Sequence, residues 1–362
     1  MDEKILNNAE ETTVSEAEAN NTEKAKLPDP PLNDENILDV RHLKKYFPAS
    51  KNFFGKPLSF LKAVDDVSFT IKRGQTLGIV GESGCGKTTL GRTILKLHEP
   101  TEGEIYFEGN NIFPYKPSQM RPLRTKMQII FQDPFASLNP RMTVEETIRE
   151  PLELSGKFKK GELSDETDRI MEMVGIDERL RYAYPHELDG GRRQRVGIGR
   201  ALALDPAFVV CDEPVSALDV SIQSQVVNML EDMQQELGLT YLFIAHDLSV
   251  VRHISHRIGV MYLGTMVELA ESYELNRNPL HPYTKTLLSA VPVPDPTAKR
   301  ERILLEGSIP SAHKPPTGCK FHTRCPKCME CCKTQAPERY EVDDGHYVYC
   351  HLYDKERREQ QK

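Results

Sequence analysis

The stretch Gly81-Glu82-Ser83-Gly84-Cys85-Gly86-Lys87-Thr88-Thr89 constrains this chain more than any other. It follows the apolar run Thr76–Val80 and precedes a helix-like run, Leu90–Leu97. Strand, glycine-rich loop and helix are the context that turns G-x-x-x-x-G-K-[ST] into a phosphate site. Glycines let backbone N–H groups curl around phosphate oxygens. The helix N-terminus adds a partial positive charge. In that arrangement Lys87 reaches the β- and γ-phosphates and Thr88 offers its hydroxyl to Mg²⁺.

The rest of the chain can be read as completing this site. At 362 residues there is room for two domains. The sequence holds no apolar run long enough to span a membrane and no basic-then-apolar leader, so a cytoplasmic protein is expected. The net charge of −7 argues against a nucleic-acid binder. Residues 1–36 are acidic and poor in large apolar side chains, which predicts a disordered tail.

Ile37–Leu43 and Ala63–Ile71 read as strands, with a loop insertion over 50–62. Tyr46, shortly before the phosphate loop, is placed to stack on an adenine; on the bare sequence, packing on the core is the simpler reading. Gly103–Gly109 reads as a hairpin-like strand, and Met127–Phe131 as a buried one that delivers Gln132 at its carboxyl end. Residues 140–185 turn polar and helix-prone, punctuated by Pro151, Gly156, Gly161 and Gly175, which predicts several short helices inserted into the nucleotide-binding fold. Asp189-Gly190-Gly191 then opens another helix, either as an anion site or with Asp189 as a simple cap.

Two further apolar runs end in polar pairs. Phe208–Cys211 leads to Asp212 and Glu213. A carboxylate at a strand tip is how phosphate-loop proteins hold Mg²⁺, so Asp212 takes that role, with Glu213 placed to polarise a water. Thr240–Ala245 leads to His246, a candidate γ-phosphate contact. Arg257–Tyr262 and Gly264–Glu268 read as a closing hairpin. Strands alternating with helices imply a mainly parallel α/β sheet.

With these motifs in order, residues 37–270 resemble the ATPase subunit of an ATP-binding cassette transporter. The resemblance implies an α/β phosphate-loop domain with an inserted helical subdomain at about 135–200, and a small cysteine-rich extension over 271–362. It matches the Q-loop to Gln132, the signature to Leu188–Gln194, the Walker B motif to Val209–Glu213, the D-loop to Ser216–Asp219, the switch histidine to His246 and the adenine-stacking aromatic to Tyr46. ATP contacts then carry over to Tyr46, Gly81, Glu82, Ser83, Gly84, Cys85, Gly86, Lys87, Thr88 and Thr89, and across a dimer to Asp189, Gly190, Gly191 and Asp219. Thr88, Gln132 and Asp212 would hold Mg²⁺, while Glu213, Gln132 and His246 would be catalytic. The signature departs from the usual pattern: Asp189 stands where Ser is usual and Arg192 where Gln is common. A carboxylate facing a γ-phosphate is repulsive, so unequal ATP sites are expected.

Asn278–Thr284, Glu306–Pro310, Pro315–Pro326 and Cys350-His351-Leu352 are similar to the segments that follow the cassette in dipeptide and oligopeptide importers. That implies a heterodimer with a second, related ATPase, two membrane permeases, an external peptide-binding protein and a place on the cytoplasmic face of the membrane. The LDGGRRQR signature and Gly84-Cys85-Gly86 suggest the second of the two ATPase types. Nickel importers share much of the pattern. Soluble cassette ATPases acting on nucleic acid are the other class, but they carry a long coiled coil or a second cassette.

Six of the eight cysteines fall between Cys319 and Cys350, which in a reducing compartment reads as metal binding. Spacing alone leaves two ligand sets. Cys325-x₂-Cys328-x₂-Cys331 matches the opening of a ferredoxin-type run. The resemblance instead implies Cys319, Cys325, Cys332 and Cys350, holding a [4Fe–4S] cluster, with tetrahedral Zn²⁺ the chemical alternative.

Overall fold

The computed structural model describes residues 32–51, 57–291 and 303–354. The acidic tail expected over 1–36 lies almost wholly outside them.

Among the described residues twelve strands form two sheets: β1 (Asn36–Lys51), β2 (Pro57–Lys72), β3 (Thr76–Val80), β4 (Glu102–Phe107), β5 (Asn110–Asn111), β6 (Met127–Ile130), β7 (Phe208–Asp212), β8 (Thr240–Ile244), β9 (Arg257–Tyr262), β10 (Thr265–Glu271), β11 (Tyr340–Asp343) and β12 (His346–Val348). The larger sheet runs β11-β12-β10-β9-β3-β8-β7-β6. Its strands β6, β7, β8, β3 and β9 are parallel. Every residue of β3, β7 and β8 is buried, as expected of continuous apolar runs covered on both faces. The carboxyl ends of β3, β6, β7 and β8 release the phosphate loop, Gln132, Glu213 and His246 in turn. Parallel packing therefore brings four distant stretches to one edge, where ligands of such sheets bind.

The second sheet, β2-β1-β4-β5, is antiparallel, an element the mainly parallel expectation did not separate. Here the expected loop over 50–62 is corrected. β1 runs on to Lys51 and β2 starts at Pro57, with Tyr46 opposite Lys62, Phe47 opposite Leu61 and Ser50 opposite Ser59. Leu58 and Phe60 are exposed, so this arm has no buried face to impose the alternation that marks a strand in sequence.

Helices Pro134–Ser137, Val144–Ser155, Lys160–Met173 and Gly190–Leu202 occupy the region between β6 and β7. Thr143 and Glu146 form a reciprocal capping box that starts the second of them. Gly156 ends it in the left-handed conformation (φ 67°). Pro151 lies inside this helix rather than between short ones, a correction to its reading as a break. Ile148, Ile170, Val174 and Ile198 close the core between these helices.

The cysteine-rich segment is built onto the main sheet. β12 pairs with β10, placing Val348 opposite Glu268 and Tyr347 opposite Leu269. Phe321 is 1% exposed and packs on Tyr262, Tyr283 and His281, with ring centroids 5.2, 5.3 and 5.5 Å away. The buried Glu268 carboxylate accepts from the backbone N–H groups of Leu280 and His281 and sits 2.8 Å from His346 Nε2. Such a charge is tolerated inside because its lone pairs are satisfied.

Candidate active site

The phosphate loop needs glycine where the backbone turns. Gly81, Gly84 and Gly86 have φ of 153°, 78° and 103°. A Cβ on Gly86 would lie 2.0 Å from the Ala63 carbonyl oxygen, and one on Gly81 2.2 Å from that of Met261. No side chain fits either place. The helix Lys87–Ile94 follows directly. Lys87 is buried, and its Nζ donates to the Gly81 carbonyl at 2.8 Å and the Glu82 carbonyl at 3.3 Å. The ammonium thus sits inside the loop. Ser83 and Gly84 are exposed, Thr89 is half-buried, and burial pushes the Cys85 thiol up from its ordinary range.

Thr88 Oγ1 donates to Asp212 Oδ1 at 2.7 Å. Asp212 is fully buried at the end of β7, and Arg92 Nη2 lies 3.5 Å from its other oxygen. Hydroxyl and carboxylate, expected together on Mg²⁺, are in contact, and as hard oxygen donors they suit that ion. Gln132 Nε2 donates to Glu213 Oε2 at 2.8 Å, and His246 Nδ1 lies 3.7 Å from the same oxygen. The three residues expected to be catalytic therefore converge on one carboxylate. Glu213 has a positive φ of 47°, unusual for a side chain of its size. Its backbone N–H donates to the Ile244 carbonyl, and its carbonyl accepts from the Ser216 hydroxyl and N–H.

Tyr46 is half-buried, with Lys62 Nζ 5.3 Å from its ring centre. Its hydroxyl donates to Asp65, which also accepts from Lys320 Nζ at 2.8 Å. Burial alone would push the Asp65 carboxyl up; the hydrogen bonds from Lys320 and Tyr46 outweigh it and hold it low. Burial, then the bond to Asp65, pushes the Tyr46 phenol well up.

Asp189 caps the helix Gly190–Leu202, accepting from the Arg192 N–H at 2.8 Å, with Arg192 Nε 3.4 Å from its other oxygen. A Cβ on Gly191 would meet Ile222 at 2.7 Å, and one on Gly190 would meet Leu218 at 3.4 Å. The two glycines of the signature thus lie against the stretch around Asp219, which is exposed at the start of the helix Val220–Leu237, while Arg193 turns to the Pro185 carbonyl and the Phe135 ring.

Among the cysteines, Cys319, Cys332 and Cys350 are buried, Cys325 and Cys331 partly so, and Cys328 is exposed. Gly318, at φ 66°, makes the close approach: a Cβ there would lie 2.4 Å from the Cys332 carbonyl oxygen. Cys319 N–H donates to that oxygen at 2.8 Å. Burial pushes the Cys319 thiol up to about 11, and the neighbouring Cys332 and Cys325 add to the rise. Burial likewise pushes Cys350 up to about 12, with Cys319, Cys325 and Cys332 adding. The four thiols expected as ligands share this crowding with Cys328, which also adds to the rise that burial gives Cys319, Cys325 and Cys332. They are not drawn into a shell: among the described residues no three His, Cys, Asp or Glu side chains are grouped to hold a metal ion.

Sequence reasoning missed Asp65, Lys320, Tyr283 and Arg324. Tyr283 Oη accepts from the Glu82 backbone N–H at 2.9 Å, and Arg324 pairs with the Glu82 side chain at 2.8 Å. Lys320 and Arg324 lie among the cysteines, yet nothing in their spacing announces a partner more than two hundred residues away.

Comparison with known proteins agrees with this geometry. Residues 64–216 match the ABC transporter family, and residues 267–332 match the oligopeptide/dipeptide transporter C-terminal region. The chain is 53% identical over 324 residues to the oligopeptide transport ATP-binding protein AppF of Bacillus subtilis, covering 89% of this chain and 98% of that one. It is also 53% identical over 321 residues to the putative oligopeptide transport ATP-binding protein YkfD of the same organism, covering 88% and 95%. Among solved structures it is similar to a dimeric post-hydrolysis state of the ATP-binding cassette MJ0796 bound to ADP and Pi, with a TM-score of 0.59 and 27% identity over 65% of this chain and 98% of that one. The chain belongs to the ATP-binding-cassette ATPases of the oligopeptide/dipeptide importer family.

Proposed function

We propose that this chain binds and hydrolyses ATP to drive import of di- or oligopeptides through a membrane permease. The observation that carries the reading is the meeting of Gln132, Glu213 and His246 beside the Thr88–Asp212 contact. Lys87 and the loop's N–H groups receive the phosphates, and Tyr46 receives the adenine. Thr88, Asp212 and Gln132 would hold Mg²⁺, which supplies positive charge against the phosphoryl oxygens when bound. Glu213 orients and polarises water for in-line attack on the γ-phosphate, with His246 contacting that phosphate.

Asp189, Gly190, Gly191 and Asp219 complete the site of a second, related ATPase, and that partner's signature completes this one. Because Asp189 carries a charge where a hydroxyl is usual, the two sites are unequal. Two permeases and an external peptide-binding protein make up the rest, with this chain on the cytoplasmic face of the membrane. No described helix is long and apolar enough to cross a bilayer, which suits a peripheral subunit. We take 37–270 as the ATPase domain and 271–362 as its extension.

The same reading gives the extension a [4Fe–4S] cluster, or zinc, on Cys319, Cys325, Cys332 and Cys350. What supports this quartet over one with Cys328 and Cys331 is burial: Cys319, Cys332 and Cys350 are buried, whereas Cys328 is exposed. Its contribution would be structural, fixing a small segment rich in loops.

Co-expression with the permease and partner subunits, followed by uptake of a peptide panel in vesicles, tests the function. ATP-dependent uptake of labelled peptide is expected. ATP turnover unaffected by any peptide and its binding protein, with no uptake, would refute it.

A further inference from the structure

One side chain of the cysteine-rich segment reaches the phosphate loop. Arg324 Nη1 and Nη2 donate to Glu82 Oε2 and Oε1 at 2.8 and 3.2 Å, a two-point fork. The Arg324 side chain is only 9% exposed and that of Glu82 25%. Glu82 is held at two further points: its N–H donates to Tyr283 Oη, and its carbonyl accepts from Lys87 Nζ.

The arrangement answers an electrostatic problem within the loop. Glu82 places a carboxylate in a turn that must receive a polyanion. Repulsion between like charges is least screened where water is thin. A guanidinium stays charged at any working pH and matches a carboxylate at two oxygens, so it both cancels the charge and fixes its direction. This contact is one of several that dock the segment. Phe321 among its rings, the β12–β10 pairing and the Lys320–Asp65 bond also hold it.

We propose that Arg324 is a positioning residue for ATP. Acting through Glu82, it neutralises the loop's own carboxylate and keeps the loop in the form that Lys87 and the backbone donors require. The C-terminal extension is then a part of the nucleotide site. The inference rests on reading Gly81–Thr88 as the phosphate loop.

The test is equilibrium binding of a fluorescent ATP analogue to the full chain, with ATP KM and kcat measured in the assembled transporter. Arg324→Gln should raise Kd and KM about tenfold, the scale of a lost charge-assisted pair, and leave kcat nearly unchanged. Adding Glu82→Gln to Arg324→Gln should recover most of the affinity, because the stranded carboxylate is gone. Arg324→Lys, which keeps the charge and loses the fork, should fall between wild type and Arg324→Gln; it also reads the effect should Arg324→Gln fail to fold. Wild-type affinity in both single variants, or a double variant as weak as Arg324→Gln, would overturn the proposal and leave Arg324 a docking contact. Lys87→Ala is the control. Loss with Lys87→Ala but not with Arg324→Gln refutes this inference alone, whereas no loss with Lys87→Ala refutes the phosphate-loop reading beneath it.

Discussion

The phosphate loop and the cysteine-rich segment touch, yet they are held by interactions of different reach. Lys87 bonds a carbonyl six residues away, and the loop's glycines stand where the backbone turns. In the cysteine-rich segment the partners are remote. Lys320 meets Asp65 across 255 residues, and Arg324 meets Glu82 across 242. The turn of the first region is set by its own glycines and a lysine close in sequence; the charged contacts of the second exist only after the sheet has formed. An element of the second kind can still govern the first, because its charged ends terminate on Glu82 and on the Asp65–Tyr46 pair.

The largest expected effect tests whether the extension is part of the fold or merely attached. Phe321 is buried among three rings, so Phe321→Ala should cost about 3–5 kcal/mol. Denaturant unfolding of the whole chain should show a single, earlier transition. A wild-type main transition preceded by a small separate one would make the extension an independent unit.

Glu213→Gln probes the other region alone. ATP binding should persist while turnover in the assembled transporter falls roughly 10²-fold or more. Turnover at the wild-type rate would remove Glu213 from its role.

A pH effect of similar size separates the two regions again. Burial holds the His281 pKa down at about 4, against an ordinary 6.5. Its Nδ1 accepts from the Tyr283 N–H at 3.1 Å and must be unprotonated to do so. A folded-state pKa below the unfolded one gives stability that is complete above pH ~6.5 and is lost as pH falls towards ~4, on the order of 3 kcal/mol in all. Thermal unfolding between pH 7 and 5 should show the decline, and His281→Asn, which retains a capping oxygen, should flatten it. An equal slope in the variant would place the sensitivity elsewhere.

Cysteine replacement sharpens the ligand assignment. Iron, sulfide and zinc analysis after anaerobic purification should show metal lost from Cys319→Ser and kept by Cys328→Ser. The reverse pattern would favour the ferredoxin-like spacing. The smallest effect belongs to the signature. Asp189→Ser keeps a capping oxygen and removes a largely exposed charge, so turnover of the assembled transporter should rise only about threefold. No change would mean that the carboxylate never faces the phosphate, and that the two sites are equal in this respect.

What the sequence determined by itself is the local chemistry. The phosphate loop, the strand tips at Gln132, Asp212 and His246, and the capping of a helix by Asp189 all follow from residue type and nearest neighbours. Their order along alternating strands and helices also implied one edge of a parallel sheet as the meeting place. Tertiary structure decided what lacks a local signal. The arm of β1 and β2 has no buried face and so no periodicity. The joining of β12 to β10 depends on a sheet edge that β10 presents only once the main sheet has formed. The pairing of Arg324 with Glu82, like that of Lys320 with Asp65, is an encounter of single side chains across the whole sequence. Local patterns report backbone propensity and burial; a lone charge carries no record of the partner that folding brings to it.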